Sequence, residues 1–171
     1  HIYVPEDAVA SSPIAQMSGW VHDGHLIVTP GSEADYARIE TDLLGWRQTL
    51  QLQEIDFDRR SARLMIQSLR SRLEPDLDKD TIERLVVDVP QDVPTMDPAM
   101  KMLERLVAGH NVQHNGNALM AWMISNIVIE RNHKDEIYPR KAGGKDSANK
   151  IDGPVALFTA LSRAMIAPPP A

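Results

Sequence analysis

The chain has 171 residues, enough for one compact domain with a substantial core. Hydrophobic residues make up 43% of it and charged residues 25%, which is typical of a globular protein. No apolar run is long enough for a membrane span, and no signal-peptide pattern is present. The lack of cysteine excludes disulfides and thiolate metal sites. The net charge of −6 argues against a protein whose whole surface attracts nucleic acid, although a local basic patch is compatible with it.

Predicted strands and helices alternate in the first half of the chain. Residues 2–4 already read as a strand, so we expect a fragment of a longer protein. Residues 25–29 (HLIVT) predict a second strand, which ends at a Pro-Gly turn. Ser32 and Asp35 have capping-box spacing, which predicts a helix beginning near Glu33. Its predicted buried stripe follows helical spacing and consists of Tyr36, Ile39, Leu43 and Trp46.

The middle of the chain continues the alternation. Residues 52–58 (LQEIDFD) alternate as a strand, with the acids Glu54, Asp56 and Asp58 on one face. A helix over residues 61–73 follows, and then an acidic loop over residues 74–80. The apolar run in residues 84–90 predicts a strand at the centre of a sheet.

The last third begins with Asp97-Pro98, which predicts the start of a helix that reaches residue 108. A short buried helix over residues 118–124, a hairpin, and a flexible basic loop over residues 141–150 come next. A final helix is predicted from Pro154 to about residue 165. This order indicates an α/β fold with a mixed sheet flanked by helices. We expect one domain over residues 1–166 and a disordered tail over residues 167–171.

Acids at element boundaries are the candidates for chemistry. Asp58 ends a strand just before a helix, and Asp152 begins the final helix. Ligands of open α/β sheets bind at such strand ends. Two carboxylates that meet repel each other unless a cation or a proton separates them, and oxygen ligands alone suit Mg²⁺ or Mn²⁺. Two such ions, about 4 Å apart, would promote phosphodiester cleavage.

Each candidate also has a structural interpretation. Asp152 can be a helix cap, and Asp58 a solvated strand end. Asp56 lies on the same strand face as Asp58, two residues further inward. His114 is either a metal ligand, a general base or a turn histidine. Basic residues beside the two acids can contact DNA phosphates or form a solvated surface, and these are Arg59, Arg60, Lys141, Lys145 and Lys150.

Several motifs, in order along the chain, carry a family resemblance. The stretch GWVHDGHLIVTPGSEADYARI has the spacing of a W-x-x-x-G-x-L-x-x-T-x-G-x-x-x-D-Y motif. Three further stretches follow it along the chain: EIDFDRRSA, the region from VPQDVP to SNIVI, and YPRKAGGKDSANKIDGPVALFTAL. In number, order and spacing these motifs resemble the C-terminal nuclease domain of the large terminase subunit of tailed bacteriophages. The positions that fit the second half of the pattern are Gln91, Lys101, Glu104, His114, Asn117, Trp122, Asn126, Pro139, Lys141, Lys150, Asp152 and Gly153.

The resemblance implies an RNase H-like fold and a two-metal-ion DNA endonuclease that uses Mg²⁺ or Mn²⁺. It places metal-binding and catalytic roles on Asp58 and Asp152. The implied substrate is double-stranded, concatemeric viral DNA, and the implied partners of the full-length protein are the terminase small subunit and the portal protein, in the host cell cytoplasm. The family carries a further aspartate on a first strand upstream of this chain, and an ATPase domain before it. We therefore expect this chain to lack that strand and one ligand, and to cut poorly or not at all.

Two other interpretations stay open at this point. In the first, the same fold is a catalytically inactive docking module for other packaging proteins, which the missing first strand and the negative charge favour. In the second, the chain is another RNase H-like enzyme, such as a junction resolvase or an integrase. The extended match after Pro90 counts against that class.

Overall fold

The computed structural model describes residues 1–144 and 146–166, and within these ranges it has the predicted α/β architecture. The predicted tail, residues 167–171, lies outside the described residues. The strands are β1 (Tyr3–Pro5), β2 (Ile27–Thr29), β3 (Ile55–Phe57), β4 (Val86–Asp88), β5 (Ile127–Arg131) and β6 (Ile137–Lys141). The helices are α1 (Glu6–Ala10), α2 (Met17–His22), α3 (Tyr36–Thr49), α4 (Arg59–Leu73), α5 (Lys79–Leu85), α6 (Val93–Ala108), α7 (Ala118–Ser125) and α8 (Asp152–Ala164). Each helix in these ranges is too short or too polar to cross a bilayer.

The strands pair as three two-stranded pieces within the described ranges. β1 and β2 are parallel, β3 and β4 are parallel with Phe57 opposite Asp88, and β5 and β6 form the predicted antiparallel hairpin. The predicted central position of residues 84–90 is wrong for the described part of the chain, where β4 pairs with β3. Its first two residues belong instead to α5, a helix that Asp78 caps and that lies partly in the predicted acidic loop. The apolar run in the sequence is continuous because Leu85, the buried last residue of α5, directly precedes the apolar residues of β4.

Two predicted helix starts are displaced, because Asp35 replaces the predicted Ser32 as the cap of α3 and Asp92 replaces the predicted Asp97 as the cap of α6. α3 begins at Tyr36, after Asp35, whose carboxylate accepts a hydrogen bond from the Arg38 amide at 2.9 Å. α6 begins at Val93, and Asp92 caps it, so that Pro98 falls inside the helix.

Two other side chains on these helices also differ from expectation. Asp97, predicted as the cap of α6, instead accepts a hydrogen bond from the Ile137 amide at 2.8 Å and so ties α6 to β6. The predicted buried stripe of α3 is wrong at Tyr36, which is 44% exposed. The buried residue of that helix is Glu40, whose carboxylate accepts hydrogen bonds from Ser68 and Arg72 of α4.

In the described part of the chain, the core consists of three apolar clusters. The first, which we call cluster 1, joins Phe57 of β3 to α4, α5 and β4. Cluster 2 joins α6, β6 and α8 through Met96, Ile137 and Phe158. Cluster 3 contains Trp20 and residues of α7. β3 and α8, the elements next to the two candidate acids, therefore belong to different clusters.

Candidate active site

A cleft of about 1100 Å³ lies between cluster 1 and cluster 2. Phe57 and Met65 line it from the first cluster, and Met96 and Val155 line it from the second. The carboxylates that line the same cleft come from two segments of the chain, the stretch around β3 and the start of α8, and are Glu54, Asp56, Asp58 and Asp152. The fold thus brings Asp58 and Asp152 to one cleft from positions far apart in the sequence.

The directions of β3 and α8 explain how these two acids come to line one cleft. Arg163, in the last turn of α8, donates two hydrogen bonds to Glu54, just before β3, at 2.8 and 2.9 Å. The end of the helix therefore lies beside the start of the strand. Asp152 at the start of α8 and Asp58 after the end of β3 are the two opposite ends, and both line the cleft.

Asp58 is also the cap of α4. One of its carboxylate oxygens accepts a hydrogen bond from the Arg60 amide at 3.1 Å, and the residue is half-buried. A carboxylate has lone pairs for several partners, so one capping bond is compatible with a second role. The Asp58 carboxylate lies at the strand end because β3 ends at Phe57 and α4 begins at Arg59, so that Asp58 occupies the cap position between them.

Asp152 does not cap α8, since the cap position is Ile151 and no side chain bonds the helix start. The Asp152 carboxylate is exposed in the first turn, where the helix dipole favours negative charge. Two contacts fix this turn: the Gly153 amide donates to the Met123 sulfur at 3.4 Å, and Asn126 donates to the Lys150 carbonyl at 3.1 Å. The rest of the chain therefore holds the backbone on both sides of Asp152.

Asp56 is the most perturbed acid of the cleft. Burial, and after it the negative charge of Glu54, raises the pKa of Asp56 to about 6. Within the described residues, its buried Oδ1 atom has no hydrogen-bond partner. An unpartnered buried oxygen beside the Glu54 carboxylate is the kind of group that a cation or a water would satisfy.

The candidate DNA-binding residues differ in placement. Arg60 and Lys150 are exposed. Lys141 lines the cleft, and its ammonium group donates to the Ser147 carbonyl at 2.7 Å, which closes the loop after β6. Lys145 and the side chain of Arg59 lie outside the described part of the structure.

His114 lies away from these acids. It is exposed, it does not line the cleft, and its Nδ1 atom accepts a hydrogen bond from the Gly116 amide at 3.1 Å. This geometry is that of a turn histidine.

Three further residues of the cleft region escaped the sequence analysis. The sequence pattern could have indicated Glu54 as a site residue, because it shares its strand face with Asp56 and Asp58. No pattern in the sequence indicates its partner Arg163. Arg140 also lines the cleft, where it lies 4.8 Å from the centre of the Tyr138 ring and pairs with Glu130. A basic residue in a hairpin strand gives no hint in the sequence that it will face an acid cluster.

The donor set suits a hard divalent cation. The acidic side chains of the cleft offer oxygen ligands. Mg²⁺ prefers such ligands, and it is commonly bound through one or two carboxylates while it keeps several waters. Asp58 and Asp152 supply that number, with the Asp56 oxygen nearby. Among the described residues, no three His, Asp or Glu side chains are close enough to form a ready-made cluster. The residues therefore fit a metal that is held in large part by water.

Comparisons with known proteins found a matching family, a related sequence and a similar structure. The sequence profile of the terminase large subunit endonuclease domain matches residues 8–167. Protein YmfN of Escherichia coli strain K12 is 32% identical over 149 residues, which cover 86% of this chain and 30% of YmfN. The crystal structure of the HK97 bacteriophage large terminase is 23% identical, with a TM-score of 0.72, and the match covers 94% of this chain and 32% of that one.

The structural match supports the predicted RNase H-like fold, although this chain spans only about a third of either relative. The profile match extends over nearly all of the sequence. The chain therefore belongs to the family of terminase large subunit endonuclease domains.

Proposed function

We propose that this domain is a divalent-metal-dependent DNA endonuclease that cleaves concatemeric viral DNA during genome packaging. One observation carries the proposal: Asp58 and Asp152, 94 positions apart, line the same cleft. The family membership supports nuclease chemistry at that cleft.

Each residue of the cleft has a role in the proposed reaction. Asp58 and Asp152 hold two Mg²⁺ or Mn²⁺ ions, and Asp56 provides an auxiliary oxygen. When bound, such ions activate the attacking water and stabilise the leaving oxygen of the phosphodiester. Arg140 and Lys141 line the same cleft, where their positive charges attract the DNA backbone. Exposed Arg60 and Lys150 extend this basic edge, and we place Arg59 and Lys145 on it by sequence position.

The proposed setting follows from the family. The substrate is double-stranded DNA in the cytoplasm of an infected bacterial cell. The small terminase subunit and the portal protein are the proposed partners of the full-length protein, because a large terminase subunit acts with both during packaging.

The test is the substitution Asp152→Asn, compared with Asp78→Asn. Both positions begin helices, but Asp78 caps α5 and does not line the cleft. We expect wild type and Asp78→Asn to bind Mn²⁺ in calorimetry, and Asp152→Asn to lose at least tenfold in affinity, since a carboxylate ligand becomes neutral. In a longer protein that includes the upstream strand, Mn²⁺-dependent nicking of supercoiled plasmid should disappear with Asp152→Asn and persist with Asp78→Asn. Equal Mn²⁺ affinity and nicking in all three proteins would refute the assignment.

A second function has one observation in its favour. The described residues contain no ready-made group of three metal-binding side chains, which suits a docking module that has lost its chemistry. Such a module has no use for a divalent ion. Wild-type protein that takes up neither Mg²⁺ nor Mn²⁺ in calorimetry would support it over the nuclease.

A further inference from the structure

The two candidate metal ligands are attached to different parts of the core. Asp58 directly follows β3, whose Phe57 packs in cluster 1. Asp152 begins α8, whose Phe158 packs in cluster 2. The cleft lies between the two clusters, so apolar packing inside either cluster does not fix the distance between the two carboxylates. That distance depends on the contacts that join cluster 1 to cluster 2.

The Glu54–Arg163 ion pair joins them directly. Its two hydrogen bonds, at 2.8 and 2.9 Å, form a bidentate pair between residues that are 109 positions apart. The two side chains are 21% and 31% exposed, so water screens the pair only in part. The Arg163 guanidinium lowers the pKa of the Glu54 carboxyl, which keeps Glu54 charged. A planar, two-bond pair fixes orientation as well as distance.

The lengths on either side of the pair are nearly matched. Four residues of extended chain carry Glu54 to Asp58, about 13 Å. Eleven residues of helix carry Arg163 back to Asp152, about 16 Å. Both elements lead away from the pair along the cleft, the strand from its first residue and the helix from its last turn. The geometry of the pair therefore sets where the helix start lies relative to the strand end.

On the basis of the proposed function, we infer that Glu54 and Arg163 are positioning residues that set the separation of Asp58 and Asp152 for metal binding. Metal coordination tolerates only a few tenths of an ångström. A shift of α8 along β3 after loss of the pair would exceed that tolerance at Asp152. Residues that orient metal ligands through hydrogen bonds commonly change metal affinity by tenfold or more, and we expect a misplaced Asp152 to have an effect of that size.

Charge alone predicts a different result, which makes the inference testable. Arg163 is a cation near the acids, so removing its charge should strengthen Mn²⁺ binding if only electrostatics matter. Removing the negative charge of Glu54 should weaken it. Positioning predicts that both changes weaken binding, and that exchanging the two residues restores it.

The experiment measures Mn²⁺ affinity by calorimetry, and thermal unfolding without metal, for Glu54→Gln, Arg163→Met, Arg163→Lys and the double exchange Glu54→Arg with Arg163→Glu. We expect about tenfold weaker binding for Arg163→Met and Glu54→Gln. Arg163→Lys should fall between wild type and Arg163→Met, because it keeps the charge without the two-bond geometry. The double exchange should recover most of the affinity.

The matched control is Arg72→Met, which breaks the ion pair with buried Glu40 between α3 and α4, away from the cleft. It should lower the melting temperature without changing Mn²⁺ affinity. Tighter or unchanged binding by Arg163→Met, with wild type binding Mn²⁺, would overturn the positioning role alone. A wild-type protein that binds no Mn²⁺ would overturn the proposed function, and the positioning role with it.

Discussion

Gly153 follows the candidate ligand Asp152 at the start of α8, and the structure leaves no room there for a larger side chain. A β-carbon at this position would lie 2.9 Å from the Met120 sulfur and 3.0 Å from the Met123 sulfur. Both distances are well inside van der Waals contact, and Met123 is only 4% exposed. We therefore expect Gly153→Ala to push the first turn of α8 away from α7.

The size of the effect follows from two opposing contributions. Overpacking a core costs about 1–3 kcal/mol. Alanine gains up to about 1 kcal/mol over glycine inside a helix, and less at its first turn. The net expectation is a loss of about 1–2 kcal/mol, which lowers the melting temperature of a domain this size by about 2–8 °C.

Gly45→Ala is the matched control, because it is the same substitution with no steric penalty. Gly45 lies inside α3, and a β-carbon there meets no atom within 4 Å. We expect this variant to gain up to about 1 kcal/mol, from helix propensity alone. The two variants should thus move the melting temperature in opposite directions.

Thermal unfolding followed by circular dichroism, with and without Met120→Ala, is the assay. If the clash causes the loss, Gly153→Ala should be less damaging when Met120 is already alanine, since one of the two close sulfurs is gone. The reasoning is refuted if Gly153→Ala raises the melting temperature as Gly45→Ala does. It also fails if the loss is the same in both backgrounds.

Two further predictions concern polar contacts outside the cleft. Burial, followed by the hydrogen bond from its hydroxyl to Asp42, raises the pKa of Tyr3 to about 12. Since the unfolded chain releases this proton near pH 10, the stability that Tyr3 provides is complete below pH 10 and disappears as the pH rises towards 12. Tyr3→Phe should flatten that part of the stability curve and remove the tyrosine absorbance change near pH 12. At Asp97, asparagine keeps an oxygen for the Ile137 amide but loses the 2.7 Å ion pair with Lys101, so chemical denaturation should show Asp97→Asn less destabilised than Asp97→Ala. Equal losses for the two Asp97 variants, or a Tyr3 titration near pH 10, would contradict these accounts.

Much of the fold follows from local sequence signals. Apolar spacing and turn residues predict the hairpin, α7 and a strand over residues 52–58, because those patterns are local, although the strand itself covers only Ile55–Phe57. Helix starts were predicted less well, since several neighbouring aspartates compete for one cap. Asp92 was preferred to Asp97 because β6 occupies the Asp97 carboxylate, and this contact spans 40 residues.

The candidate ligands illustrate the same division. By itself the sequence placed Asp58 at a strand end and Asp152 at a helix start, and its resemblance to a family selected them over Asp56 and His114. Only the tertiary structure brought the two into one cleft and joined Glu54 to Arg163 beside them. Pairing across 109 residues depends on how separate apolar clusters pack, and no short window of sequence contains that information.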